Sequence, residues 1–106
     1  MTRPILAALI AAVSLSLSAG FADADELLRA CNGSDRQAAT KSMCNCIQMV
    51  ANKSLNKSEQ KLAASFFEQP HKAQEIRQSD RSNHETFWLR YKEFGTAVED
   101  SCSHLR

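Results

Sequence analysis

The chain lacks a second long hydrophobic run, an excess of charge of either sign, and any useful stretch of strand-like alternation. Beyond Leu17 no segment approaches the roughly 20 apolar residues that a spanning helix needs, so no channel or carrier is expected from that part of the chain alone. Lysine and arginine together number 13 against 12 acidic residues. A nucleic-acid module is normally strongly basic, so no nucleic-acid partner is expected. Without a period-two pattern, the expected fold class is all-α. Histidine is scarce as well. His71 and His84 read as solvated surface residues, and neither a metal nor a cofactor is expected.

What is present begins with the three parts of a secretory signal. Arg3 supplies the positive start, Ile5 to Leu17 the apolar run, and Ala22-Asp23-Ala24 an A-x-A cleavage pattern, with Gly20-Phe21-Ala22 as a second site. Acidic Asp23, Asp25 and Glu26 follow, with no basic stop-transfer patch. Leu28-Arg29-Ala30-Cys31 fits a lipid-attachment motif only loosely, because Arg29 stands where a small residue belongs. The expectation is a signal peptide over 1–24, cleaved near Ala22 or Ala24, and a single domain over 25–106 that is periplasmic or secreted. Loss of Arg3 and Asp23 leaves 12 basic against 11 acidic residues.

All four cysteines, Cys31, Cys44, Cys46 and Cys102, lie after this segment. An even count in a short exported chain reads as two disulfides, and a domain this small commonly draws stability from them. On a helix Cys44 and Cys46 point about 200° apart, so a bond between them would require the helix to break. The favoured pairs are Cys31–Cys44 and Cys46–Cys102, with the partners of Cys31 and Cys102 exchanged as the open alternative.

The rest reads as a small bundle of about four helices. A short helix from Asp25 ends at Asn32-Gly33. The next runs to about Ser54 with Ala39, Met43, Cys46 and Val50 on one stripe, widened by Ile47 and Ala51. A start at Ser34 or Asp35 would hold Cys31 away from Cys44, so Thr40 is the easier cap. Asn56 or Ser58 caps a third helix with Leu62, Phe66 and Phe67 on its buried side, ended by Pro70. A polar segment follows from His71 to Gln78. Ser82-x-x-Glu85 reads as a capping box for the longest run, in which Phe87, Tyr91, Phe94, Val98 and Cys102 recur at spacings of 4, 3, 4 and 4.

Two constellations bear on function. Cys44-Asn45-Cys46 would suit thiol–disulfide exchange if its thiols were free, which is the one enzymatic alternative; no catalytic residue is otherwise expected. The polar stretch from Gln69 to Arg90 gathers Pro70, His71, Lys72, Glu75, Arg77, Asp80, Arg81, His84, Glu85 and Trp88, candidates for a binding surface because Trp and Arg are favoured anchors.

Cys44-x-Cys46-Ile47-Gln48, Leu55-x-x-Ser58-Glu59-Gln60, Phe66-Phe67 and Pro70-His71-Lys72-Ala73-Gln74-Glu75 resemble small exported Cys-rich alphaproteobacterial proteins. Ser79-Asp80-Arg81-Ser82, Phe87-Trp88, Arg90-Tyr91-Lys92, Phe94-Gly95 and Cys102 continue the pattern. Members sometimes carry an arginine-transporter label, which for this chain implies at most an accessory to basic amino-acid transport. Arginine recognition would need a carboxylate and an aromatic face, and Glu75, Asp80, Glu85 and Trp88 are available. The expected function is therefore exported binding, with an unidentified protein or small-molecule partner in the cell envelope. A chaperone-like response to acid, or immunity-like neutralisation of one partner, is the remaining alternative.

Overall fold

The computed structural model describes residues 25–106; the expected signal peptide lies outside them. Five α-helices follow one another: α1 (Glu26–Asn32), α2 (Lys41–Ser54), α3 (Lys57–Glu68), α4 (His71–Arg77) and α5 (Ser82–Cys102). A 3-10 turn, Ser103–Leu105, closes the chain, and no strand occurs among the described residues. The all-α bundle is as expected, with five helices where about four were anticipated.

Local chemistry sets the helix starts. The Thr40 hydroxyl accepts from the Met43 N–H at 3.1 Å, so α2 begins where a loop over 33–40 can fold Cys31 back onto Cys44. Asn56 caps α3 through a full capping box: its side chain accepts from Glu59 N, and the Glu59 carboxylate accepts from Asn56 N, both at 2.9 Å. The start of α5 departs from the sequence reading. Ser82 lies in the first turn, Arg81 takes the cap position, and no side chain caps the helix. Ser79 takes over locally, accepting from Arg81 N at 3.2 Å and bonding His84 Nδ1 at 2.7 Å.

Helix α1 packs against both α2 and α3, α2 also packs along α5, and α4 joins α3 to α5. The bridges are Cys31–Cys44 and Cys46–Cys102. Cys44 faces α1 and Cys46 faces α5, so each side of α2 is tied to a different neighbour. Helix α2 is accordingly buried on two sides rather than along one stripe. Met43, Val50 and Ala51 are covered as expected, but so are Cys44 and Gln48, whereas Cys46 and Ile47 are only partly buried and Ala39 precedes the helix.

The buried side of α3 is also turned from the expected one. Ala63, Ala64 and Phe66 are buried, while Leu62 and Phe67 are partly exposed. The two alanines are small enough for α1 to approach closely. In contrast, α3 and α5 meet through rings: Phe66 packs edge-on against Phe87 at 6.0 Å and against Tyr91 at 5.3 Å.

Three polar side chains lie in this interior, Gln48, Gln60 and Glu59, at 4%, 7% and 8% exposure. Burial of a polar group is costly unless its hydrogen bonds are made, and here they are. The Gln48 carbonyl accepts from Leu28 N at 2.9 Å, occupying a donor of the first turn of α1 that no helix carbonyl can reach. Its amide donates to Asn52 at 2.8 Å and to the Gln60 carbonyl at 2.9 Å. The Gln60 amide donates in turn to the backbone carbonyls of Ala51 and Leu55, at 3.2 and 3.0 Å, at the end of α2. Two carboxamides thus join the start of α1, the end of α2 and the body of α3.

Candidate functional site

Because α3 and α5 are held apart by rings, a cleft of about 300 Å³ opens between them. Leu27 of α1 and Ile47 of α2 form its floor. Ala63 and Phe67 make one wall; Tyr91, Phe94, Gly95 and Val98 make the other. Gly95 matters most to its shape. It sits inside a 21-residue helix, where glycine costs about 1 kcal/mol relative to alanine, and a Cβ built there would touch nothing within 4 Å. Bare backbone at this point widens the cleft by a side chain's volume.

Charge is confined to the rim. Glu99 and Arg106 line the mouth and pair with each other. Both are more than half exposed, so the pair contributes little to stability. On the Phe67 side, the Arg36 guanidinium lies 5.0 Å from the Phe67 ring centroid and donates a long hydrogen bond, 3.4 Å, to the Phe66 carbonyl. No carboxylate among the described residues pairs with it. The ring of Tyr91 is held by Phe66, Phe87, Trp88 and Phe94, with centroids 5.3 to 6.0 Å away. Its hydroxyl has no hydrogen-bond partner among the described residues. Burial raises its pKa above the ordinary 10.0, while the positive charge of Arg36 acts to lower it. At neutral pH Tyr91 is therefore a hydrogen-bond donor facing an apolar cleft.

The polar stretch singled out in the sequence occupies the α4–α5 corner. Pro70 stands at the cap of α4, and His71 and Glu75 face each other at 4.0 Å, each about 70% exposed. Arg77, Asp80, Arg81 and Glu85 are exposed; Lys72 is partly covered. His84 lines a recess of about 420 Å³ between the starts of α3 and α5, where Asn56, Glu59 and Asn83 stand beside Leu62 and Phe87. Glu59 is already engaged there, by the α3 cap and by Arg90 at 3.4 Å. Trp88 leans on Tyr91, 5.3 Å between rings, and so joins the corner to the cleft. These residues form an open surface, not one enclosed site.

Cys44 and Cys46 are each spent in a separate bridge, and no free cysteine occurs among the described residues. In this form the pair has no thiol to exchange. Sequence reasoning missed the cleft. Gly95 was its one visible signal: a glycine in the middle of the longest helix, with no turn to explain it. No helix among the described residues is long and apolar enough to cross a membrane. The chain matches no protein-family model, no curated protein and no solved structure.

Proposed function

We propose that this is an exported binding protein of the cell envelope, acting through the α3–α5 cleft on a small, largely apolar molecule. The observation that carries the reading is the cleft itself, apolar on its floor and both walls, open at one helical glycine, and edged by a few polar groups. That combination is the usual composition of a small-molecule site. Its volume of about 300 Å³ corresponds to roughly ten groups the size of a water molecule or a methylene. An occupant of about ten non-hydrogen atoms follows.

Export is supported by the signal-like sequence and by two disulfides, which persist in oxidising compartments. The bridges also suit binding. They hold α1 and α5 to α2, so the floor and one wall are fixed before a ligand arrives, and little ordering is required on association. The Pro70 to Trp88 surface enters through Trp88, whose contact with Tyr91 makes its fluorescence a reporter of the cleft.

The test is titration of the disulfide-bonded protein, residues 25–106, with 1-octanol, followed by Trp88 fluorescence and by calorimetry. Saturable one-to-one binding in the native protein, abolished in Gly95→Leu, supports the reading. Leucine at that position is a good helix former and fills the cleft from its open side. Equal binding by the native protein and Gly95→Leu, or no saturable binding by either, overturns it.

A further inference from the structure

The polar groups at the cleft are unequal in sign and in engagement. Glu99, its one acidic lining residue, is matched by Arg106. Arg36, exposed and lying over the ring of Phe67, has no acidic partner among the described residues and spends one N–H on a long bond to a carbonyl. The Tyr91 hydroxyl, within reach of the Arg36 charge, is a donor with no acceptor among the described residues. A cleft hydroxyl therefore lacks an acceptor, and a full positive charge beside the Phe67 wall lacks an acidic partner. A largely buried hydroxyl is nearly always paired, so Tyr91 marks where an acceptor belongs, and the unmatched charge of exposed Arg36 sets the sign of the group that suits it.

Resting on the reading that the cleft binds a small molecule, we infer that its ligand is a medium-chain monocarboxylate, with the carboxylate held between Arg36 and the Tyr91 hydroxyl and the chain lying along Phe94, Gly95 and Val98. Guanidinium suits this role because it presents parallel N–H groups to the two carboxylate oxygens. Phe67 fixes the guanidinium from below through its ring face, which reduces the freedom lost on binding. The unmatched charge of Arg36 favours an anion over a neutral or cationic head group. At the far end the Arg106–Glu99 pair closes the cleft, and its mixed sign gives a charged head no comparable seat.

Chain length follows from volume. Octanoate has ten non-hydrogen atoms, close to the capacity of the cleft, whereas palmitate has nearly twice that number and would have to leave about half of its chain in water. A medium-chain carboxylate is thus the expected ligand.

The experiment compares octanoate, 1-octanol and octylammonium by calorimetry on the disulfide-bonded protein, with Arg36→Gln, Arg36→Lys and Tyr91→Phe beside it. Octanoate is expected to bind at least tenfold more tightly than octanol, and octylammonium more weakly than either. One charge-assisted contact is enough for that ratio. Arg36→Gln should bring octanoate down to octanol while leaving octanol unchanged. Arg36→Lys should restore part of the difference, and Tyr91→Phe should weaken octanoate severalfold. Unchanged far-ultraviolet circular dichroism in all three variants, and unchanged octanol affinity in the two Arg36 variants, would show that the cleft is kept. Equal affinity for octanoate and octanol in the native protein overturns the carboxylate inference and leaves the apolar site standing. Failure of all three ligands overturns both.

Discussion

Replacing Gln48 with leucine tests whether the buried carboxamide pair holds the first three helices together. The substitution nearly conserves volume, so little of its cost comes from packing. It removes the acceptor of Leu28 N and the donor to the Gln60 carbonyl, along with a bond to the exposed Asn52. The first two groups stay inside the fold, and each buried group left unsatisfied costs about 1–3 kcal/mol. The apolar side chain returns part of this, so the expected loss is about 2–3 kcal/mol. Gln60→Leu strands the Gln48 amide, and the Leu55 carbonyl loses the bond it accepts from that side chain; the Ala51 carbonyl still accepts from Leu55 N at 2.9 Å. A loss of about 2 kcal/mol is expected. In the double variant the stranded partners vanish together, so its cost should fall below the sum of the singles by about 1–2 kcal/mol. Urea unfolding with the disulfides intact reads all three as shifts in midpoint at constant slope. Single losses below about 0.5 kcal/mol, or strict additivity, would refute the reasoning.

Other outcomes follow from the same structure. Intact mass of the exported protein should be four hydrogens below that of the reduced chain, with no alkylation before strong reductant is added, since all four cysteines are bridged. Replacing Cys46 and Cys102 with serine should cost about 4 kcal/mol, against about 3 for the Cys31–Cys44 pair, because the first bridge closes a loop spanning 56 residues and the second one spanning 13. Gly95→Ala should raise stability by about 0.5–1 kcal/mol, measured by thermal or urea unfolding, because its methyl group meets open space. Tyr91 is the chain's single tyrosine, so phenolate absorbance reports it directly, and its midpoint should lie above 10.0 in the folded protein. The folded state then holds this proton more tightly than the unfolded one. The stability it contributes is complete below pH 10.0 and is lost as pH rises through the folded-state pKa, a loss that Tyr91→Phe should remove.

Features set by local geometry were legible in the sequence. The opposed directions of Cys44 and Cys46 on one helix excluded a bond between them, the helical stripes shared by Cys46 and Cys102 favoured the observed pairs over their exchange, and the reach from Cys31 to Cys44 led to Thr40 as the cap of α2. The period from Phe87 to Cys102 gave the core face of α5, with Phe87, Phe94 and Cys102 buried. What depended on a neighbour's position was not legible. Gln48 and Gln60 look like solvent-facing residues until the start of α1 and the end of α2 are brought to them. Leu62 and Phe67 were placed on the inner face of α3 by hydrophobicity, but Ala63 and Ala64 take that face because α1 packs there. Ser82-x-x-Glu85 has the right residues for a capping box, yet the chain enters α5 with Ser79 already engaging Arg81 N and His84. The cleft depends on the spacing of α3 from α5, which no single segment encodes.

The most direct test of the proposed site is a nitrogen–proton correlation spectrum of the disulfide-bonded protein, titrated with octanoate. If the α3–α5 cleft is the site, saturable shifts should concentrate at Leu27, Ala63, Phe67, Gly95 and Val98, while the exposed face from His71 to Arg77 stays still. Shifts that gather at the α4–α5 corner instead, or that never saturate, would contradict a binding function built on that cleft.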